Sequence, residues 1–237
     1  MKQSPDKGTR VRAMFARVVP RYDLMNRLMT GGMDRSWRKL AVRLCEPQGK
    51  VALDVATGTG DLAIELSRQG ARKVVGLDFC APMLETATQK IAYLSPTVRL
   101  VAGDVLALPF SDGSFDRVIN GFLLRNVADL PRALQEMARV LRPGGRIVCL
   151  EITHPPSRLF STLFNIYFYG IVPRLGALVS GDGAAYSYLP ESLTHFPDAP
   201  HLAQMMRQAG FSDVSFRYLS FGAMAVHIGI KKPAGQG

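Results

Sequence analysis

The sequence predicts a doubly wound α/β fold: a mostly parallel sheet of seven strands, finished by an antiparallel hairpin and capped by helices. Three observations lead there. Strand-like and helical runs alternate from about residue 50 to residue 152. The stretch Ala52-Leu53-Asp54-Val55-Ala56-Thr57-Gly58-Thr59-Gly60-Asp61 reads as a buried strand entering a glycine-rich turn and then a helix. Near Ser220-Phe221-Gly222 a short turn joins the last two strand-like runs, as in a hairpin.

Taken in order, two short helices near 8–19 and 21–30 precede a third around 34–45. Strand 50–55, helix 60–69, strand 73–77, helix 81–93 and strand 97–101 follow. Asp116 to Asn120 supplies a fourth strand on the short apolar run Val118-Ile119. Leu130 to Leu141 has helical periodicity, with Leu134, Met137, Ala138 and Leu141 on one face, and Arg142-Pro143-Gly144-Gly145-Arg146 stops it. Ile147 to Ile152 is a fifth, buried strand. Residues 154–204 break the rhythm. Leu159 to Val179 is apolar, but Asn165, Gly170, Pro173 and Arg174 interrupt it as a membrane span. It reads either as helices over a hydrophobic cavity or as ordinary core packing. A helix at about 199–209 leads to strands 213–219 and 223–231. No second βαβ unit remains to build the other half of a dinucleotide fold. The expected organisation is one domain: an N-terminal helical cap (1–45), a core (46–153), an apolar cap insertion (154–204) and a C-terminal helix and hairpin (205–237).

The ends of the first three strands carry the chemistry. Gly58 and Gly60 let main-chain amides approach a ligand at a helix N-terminus. Asp78 closes the second strand 18 residues after Gly60, near the spacing at which a carboxylate reaches ribose hydroxyls. Asp104 closes the third. Gly58-x-Gly60-x-x-Ala63 also fits the dinucleotide fingerprint, and a tight turn with no ligand would look the same. The acids favour a cationic adenosine cofactor, because a pyrophosphate would be repelled where the sulfonium and ammonium of S-adenosyl-L-methionine would be attracted.

Composition sets the bounds. Of 237 residues, 47% are hydrophobic and 20% charged, enough for a sizeable core and against disorder. Cys45, Cys80 and Cys149 stand far apart in sequence, form no metal or redox pair, and read as reduced thiols. No metal site is expected. Met1 to Arg12 is polar and basic, unlike a secretory signal, so a cytoplasmic location is expected. Most of the net charge of +10 lies in the first fifty residues. There Val11, Met14, Phe15 and Val18 share a helical face beside Arg10, Arg12 and Arg17. Such a helix can lie on an anionic membrane surface at the inner face of the cell membrane, or pack on the core with a solvated basic side. Nucleic acid is not expected as a partner, since no binding module is recognisable. Homo-oligomerisation stays open.

Several motifs then converge. Tyr22-Asp23-Leu24-Met25-Asn26 with Trp37, the Asp54–Asp61 loop, Leu108-Pro109-Phe110 before Phe115-Asp116, Leu124-Arg125-Asn126-Val127, and Arg139 to Gly145 ending at Glu151 are one set. Tyr186 to Ser192 and Met205 to Phe211 extend it. Over nearly its whole length the chain resembles the quinone C-methyltransferases of ubiquinone and menaquinone biosynthesis. It departs from them at Asp34, where they usually carry histidine, at Arg142 for lysine and Thr153 for serine, and from some relatives at Gly121 and Phe122.

The resemblance implies a class I S-adenosylmethionine methyltransferase, Rossmann-like fold and methylation of a prenylated quinol ring carbon, with demethylmenaquinol favoured. Methyl transfer to RNA or a soluble metabolite, a nicotinamide-dependent oxidoreductase and a non-catalytic adaptor are the rival readings. Carried over by motif, Thr59, Asp78, Asp104, Val105 and Gly121 contact the cofactor. Gly58 and Gly60 admit its methionine portion, Asp78 accepts from the ribose, Asp104 and Val105 meet the adenine, and Asp54 orients the ammonium. Arg125 is the candidate for stabilising the phenolate, since it loses its own proton only above about pH 12. Asn126 holds a water, Tyr22 positions substrate, and His154 is an alternative base. Phe160, Leu163, Phe164, Ile166, Tyr167, Phe168 and Tyr169 are expected to line a prenyl path, with Tyr186 and Tyr188 at its mouth.

Overall fold

The computed structural model describes residues 7–94, 97–180 and 183–233; the side chains of 177–187 and 189 fall outside that description. Helices α1 (Lys7–Val18), α2 (Tyr22–Thr30) and α3 (Met33–Cys45) come first. The alternating core is β1 (Val51–Val55), α4 (Asp61–Arg68), β2 (Lys73–Asp78), α5 (Ala81–Leu94), β3 (Val98–Ala102), β4 (Phe115–Gly121), α6 (Leu130–Val140) and β5 (Leu141–Ile152). Next come α7 (Arg158–Asn165), a π-helical turn (Ile166–Ile171), α8 (Val172–Ser180), α9 (Gly183–Thr194) and α10 (Ala199–Gln208). Strands β6 (Phe211–Leu219) and β7 (Met224–Lys231) end the fold.

The seven strands form one sheet in the order β3-β2-β1-β4-β5-β7-β6. The first five are mutually parallel; β7 lies antiparallel between β5 and β6. This is the expected doubly wound sheet with a C-terminal hairpin. Side-chain alternation divides it into two faces. Leu53, Val55 and Val118 face α6 and α10 through Leu134, Met137, Leu202 and Met206. Ala52, Val74 and Ile119 face α3, α4 and α5 through Val42, Leu62, Leu66 and Ile91. Each fully buried Leu or Ile in these layers stabilises the fold by about 2 kcal/mol.

Local chemistry sets the ends of several helices. Asp129 caps α6 by accepting from the Arg132 amide, and Asp198 caps α10 by accepting from that of His201; each helix has proline in its first turn. Gly31, in the left-handed region, ends α2. Leu141, expected as the last residue of α6, is instead the first of β5. Its strand pairs with β4 at Leu141, skips Pro143-Gly144-Gly145, and resumes at Arg146. The apolar run after residue 158 is broken helix, with the π-turn where Gly170 lies. Among the described residues no helix is long and apolar enough to cross a membrane.

Candidate functional site: two cavities that share one wall

Four parallel strands end at one cavity of about 120 Å³. Ala56 and Gly58 line it after β1, Asp78, Phe79 and Cys80 at the end of β2, Gly103 to Leu106 after β3, and Gly121 to Leu123 at the end of β4. Helix α1 roofs it. Gly8, Val11 and Phe15 line it, and Lys7 Nζ donates to the carbonyls of Arg125 (3.3 Å) and Val127 (2.7 Å). Val11, Met14 and Val18 are buried. The apolar face of the basic helix is therefore spent on the molecule's own interior, the second of the two readings of that helix.

Asp78 is buried at the cavity edge. Its Oδ2 accepts from the Gly58 amide (2.8 Å) and its Oδ1 from that of Cys80 (2.9 Å), which fixes the carboxylate. Burial raises its pKa above the usual carboxylate value. Asp104 is exposed and caps its own turn, Oδ1 accepting from the Leu106 amide at 2.9 Å. Val105 lines the cavity. Gly58 has φ +55°, and a Cβ there would meet nothing within 4 Å, so open space lies over the loop. Gly121 lines the cavity, yet its missing Cβ is explained by packing: a Cβ would lie 2.9 Å from Leu62 Cδ1.

Asp54, Thr59 and Gly60, expected at the cofactor, do not line this cavity. Asp54 lies fully buried in β1, where Oδ2 accepts from Thr57 Oγ1 (2.6 Å) and Oδ1 has no partner. Burial pushes its pKa up to about 7. Gly60 caps α4. Thr59 turns to the helical cap, donating to Asp23 Oδ1 at 2.8 Å. Lys90 of α5 completes that junction, reaching Asp23 Oδ2 (2.9 Å), Thr59 Oγ1 (3.2 Å) and Asp61. No local pattern marks Lys90, 31 residues from Thr59.

A second, larger cavity of about 330 Å³ lies beside the first and is predominantly apolar. Met14, Met29, Trp37, Phe164, Phe168 and Met224 are among its walls. Phe15, Tyr22 and Phe122 line both cavities and form the partition. Phe122 adopts φ +62°, a strained conformation held where β4 ends. Tyr22 packs edge-to-face on Phe15, centroids 6.0 Å apart, and burial raises its pKa, keeping the phenol protonated.

Arg125 enters the second cavity as a buried cation. It pairs with Glu151, itself buried at the end of β5, and lies 5.8 Å from the Phe122 ring centroid. Its Nε is buried without a partner. Asn126 faces the other side, into the first cavity. It donates Nδ2 to the Phe122 carbonyl (2.8 Å) and leaves Oδ1 buried and unpartnered. Glu151 went unassigned in the sequence, although an acid ending an otherwise apolar strand was the available signal. Asp34 lines the second cavity too, but is tied to Arg38 and accepts from Thr30 Oγ1 at 3.2 Å. His154 reaches neither cavity; Nε2 contacts the Phe196 carbonyl at 3.3 Å, because the chain leaving β5 turns toward the loop before α10.

Of the seven residues expected to line a prenyl path, three reach the second cavity. Phe164, Tyr167 and Phe168 line the cavity. Leu163, Ile166 and Tyr169 point outward and are exposed, since the helical repeat sends alternate residues to the far face; Phe160 stacks on Phe221 with centroids 4.7 Å apart. Tyr188 is half-buried with an unpartnered hydroxyl, and the Tyr186 side chain lies outside the described residues.

Against known proteins, residues 3–231 match the profile of the ubiE/COQ5 methyltransferase family. The chain belongs to that family. Demethylmenaquinone methyltransferase of Deinococcus radiodurans is 48% identical over 230 residues, covering 96% of this chain and 95% of that one. Ubiquinone/menaquinone biosynthesis C-methyltransferase UbiE of Geobacter sulfurreducens is 42% identical over 237 residues, covering 98% and 92%. Among solved structures, a Thermotoga maritima SAM-dependent methyltransferase, described as a possible histamine N-methyltransferase, superposes with a TM-score of 0.68. It shares 21% identity and covers 93% of this chain and 99% of its own, a likeness of fold. The ubiE/COQ5 chain is thus an S-adenosylmethionine-dependent methyltransferase on a class I fold, and the oxidoreductase and adaptor readings fall away.

Proposed function

We propose that this ubiE/COQ5 methyltransferase methylates a ring carbon of a prenylated quinol, converting demethylmenaquinol to menaquinol, at the surface of an anionic membrane. The observation that carries the reading is the shared wall. A cavity edged by carboxylates meets an apolar cavity holding a buried guanidinium, across Phe15, Tyr22 and Phe122. The Deinococcus relative's name supplies the substrate class.

The first cavity suits S-adenosylmethionine: the fixed Asp78 carboxylate stands at its edge as an acceptor for the ribose, Gly58 leaves open space, and acids supply the sign a cation needs. Asp54 acts through the loop it anchors by Thr57, as a positioning group beneath it. When bound, the cofactor supplies an electrophilic sulfonium methyl. The residues of the second cavity and the partition, with Asn126 reaching in from the first cavity, do the rest. Arg125 stabilises the negative charge that a quinol oxygen acquires as it loses its proton, and that charge makes the ring carbon nucleophilic. Glu151 holds the guanidinium in place. Asn126 Oδ1 accepts from a water that carries the proton away. Tyr22, protonated, donates to substrate from the partition and aligns the ring with the first cavity. Apolar walls exclude bulk water and take the first part of the prenyl chain.

Along the chain, 46–153 supply most of the cofactor cavity, which α1 roofs, while 1–45 and 154–204 supply most of the quinol cavity, completed by Phe122, Arg125 and 220–224. The deciding assay offers methyl-labelled S-adenosylmethionine to a panel of demethylated quinols and to tRNA under reducing conditions. Label in a naphthoquinol ring is expected. Label in tRNA alone, or in no quinol while the cofactor binds, would overturn the reading.

A further inference from the structure

Of the eleven large apolar side chains that stand strongly exposed among the described residues, nine lie on three neighbouring segments. Leu24, Leu28 and Met33 come from α2 and the start of α3, Leu159, Leu163 and Ile166 head the group from α7 and the π-turn, and Phe221 comes from the β6–β7 turn. These segments are joined in a ring. Tyr167 Oη donates to the Met29 carbonyl, Phe160 stacks on Phe221, and Ser220 Oγ accepts from Trp37 Nε1 (3.1 Å) and lies 3.9 Å from Met33 Sδ. The same segments turn Met29, Phe164, Phe168 and Phe221 into the larger cavity. The ring is therefore its rim, apolar inside and out. Phe221, 75% exposed, belongs to both surfaces.

The charge around the rim is predominantly basic, and the two carboxylates that flank it, Asp23 and Asp34, are paired with Lys90 and Arg38. From Pro155 to Ser180 the sequence has two arginines and no carboxylate; from Leu24 to Met33 it has one arginine and none. Arg27, Arg35, Arg158 and Arg174 are exposed. Resting on the quinol reading above, we infer that this rim, and not the basic helix α1, is the surface that docks on an anionic lipid bilayer. It sinks its leucines among the acyl chains and opens the cavity directly to a membrane-dissolved substrate. The arrangement has the two ingredients of an interfacial binder, an apolar face and a basic border. Helix α1 lacks the first, because Val11, Met14 and Val18 are buried.

The test compares the full chain with the double variant Leu159→Glu/Leu163→Glu and with Arg10→Glu on α1. Vesicles of phosphatidylcholine, with and without phosphatidylglycerol, are sedimented with each. Methyl transfer is measured to a long-chain quinol embedded in the vesicles and to a chain-less, water-soluble quinol. The rim variant is expected to lose vesicle binding and to turn over the embedded quinol about tenfold more slowly, with the soluble quinol unaffected. Arg10→Glu should retain most binding. Undiminished sedimentation of the rim variant, or its loss in Arg10→Glu alone, would overturn the inference. So would a wild-type dimer in lipid-free solution that the rim variant turns to monomer, since the rim would then be a subunit interface. Wild-type binding to vesicles without transfer to either quinol would instead sink the substrate reading and leave the docking surface standing.

Discussion

At the scale of single residues, two buried charges decide how the site behaves. Asp54, with its pKa pushed up to about 7 by burial, holds a proton below neutral pH. A bound cation favours the carboxylate form, so cofactor binding should expel that proton and weaken as pH falls below 7, by up to about tenfold per unit. Titration calorimetry from pH 6 to 8, in buffers of different ionisation heat, reads both the affinity and the proton released. Asp54→Asn should bind more weakly at pH 8 and lose that part of the dependence, which separates it from titration of the cofactor's own amine. An equal slope in the variant would show that Asp54 plays no part. Arg125 needs a different design. Removing it alone leaves Glu151 charged and buried, a cost of about 3–5 kcal/mol to the fold. Arg125→Met/Glu151→Gln removes both charges together and should fold normally and bind cofactor. Its kcat on a soluble quinol should drop about 100-fold. Retained turnover in that folded double variant would remove the guanidinium from the chemistry.

Among elements, the junction of Lys90 with Asp23, Thr59 and Asp61 stands out, because it joins α5 and the glycine loop to the α2 that carries Tyr22. The pairs are partly exposed, so each contributes at most about 1 kcal/mol to stability. Their larger effect is on placement. In Lys90→Met, KM for cofactor and for quinol should rise about fivefold, protease should cut α1 and α2 sooner, and Tm should move by no more than about 4 °C. Lys90→Arg should recover most of the loss; unchanged KM values in Lys90→Met would show the junction to be mere surface. The contrast with what the sequence disclosed is physical. Strand ends and the glycine loop are written locally, as apolar runs closed by Asp78, Asp104 or Gly58, so five parallel strands and the cofactor edge were legible. Glu151 beside Arg125, or Lys90 beside Asp23, are meetings of residues 26 and 67 positions apart, and no periodicity encodes them. The outward turn of Leu163 and Ile166 was equally hidden: a helical segment with large apolar residues on more than one side does not reveal which side faces a cavity until its neighbours are placed.

For the whole molecule, the sheet carries two buried titrating groups whose effects on stability oppose each other. His227 of β7 is buried against the Ala199 carbonyl (2.9 Å), and burial lowers its pKa from 6.5 to about 4. A lowered histidine value means the unfolded chain binds the proton first, so this stability is present above pH 6.5 and is lost as pH falls toward 4. Asp54 has the reverse sign. Raised from 3.8 to about 7, it stabilises the fold when protonated, and that contribution is lost as pH climbs from about 4 through 7. Asp78, also raised, adds to the Asp54 side. The two larger shifts correspond to about 3 kcal/mol for His227 and about 4 kcal/mol for Asp54. Between pH 4.5 and 6.5 the proton the native state keeps on Asp54 offsets the one it refuses at His227, so the Tm of the cofactor-free protein should vary less with pH than in either single variant, the residual slope coming from Asp78. Single substitutions remove one side of the balance. His227→Gln, whose Nε2 can still donate to Ala199, should become more stable toward pH 4.5 than at 6.5. Asp54→Asn should show a slope of the opposite sense relative to wild type, and the double variant should return to the wild-type slope. Thermal melts of the four proteins across that window check all three signs together; parallel slopes in the two single variants would mean that the buried pair does not set the pH response of the fold.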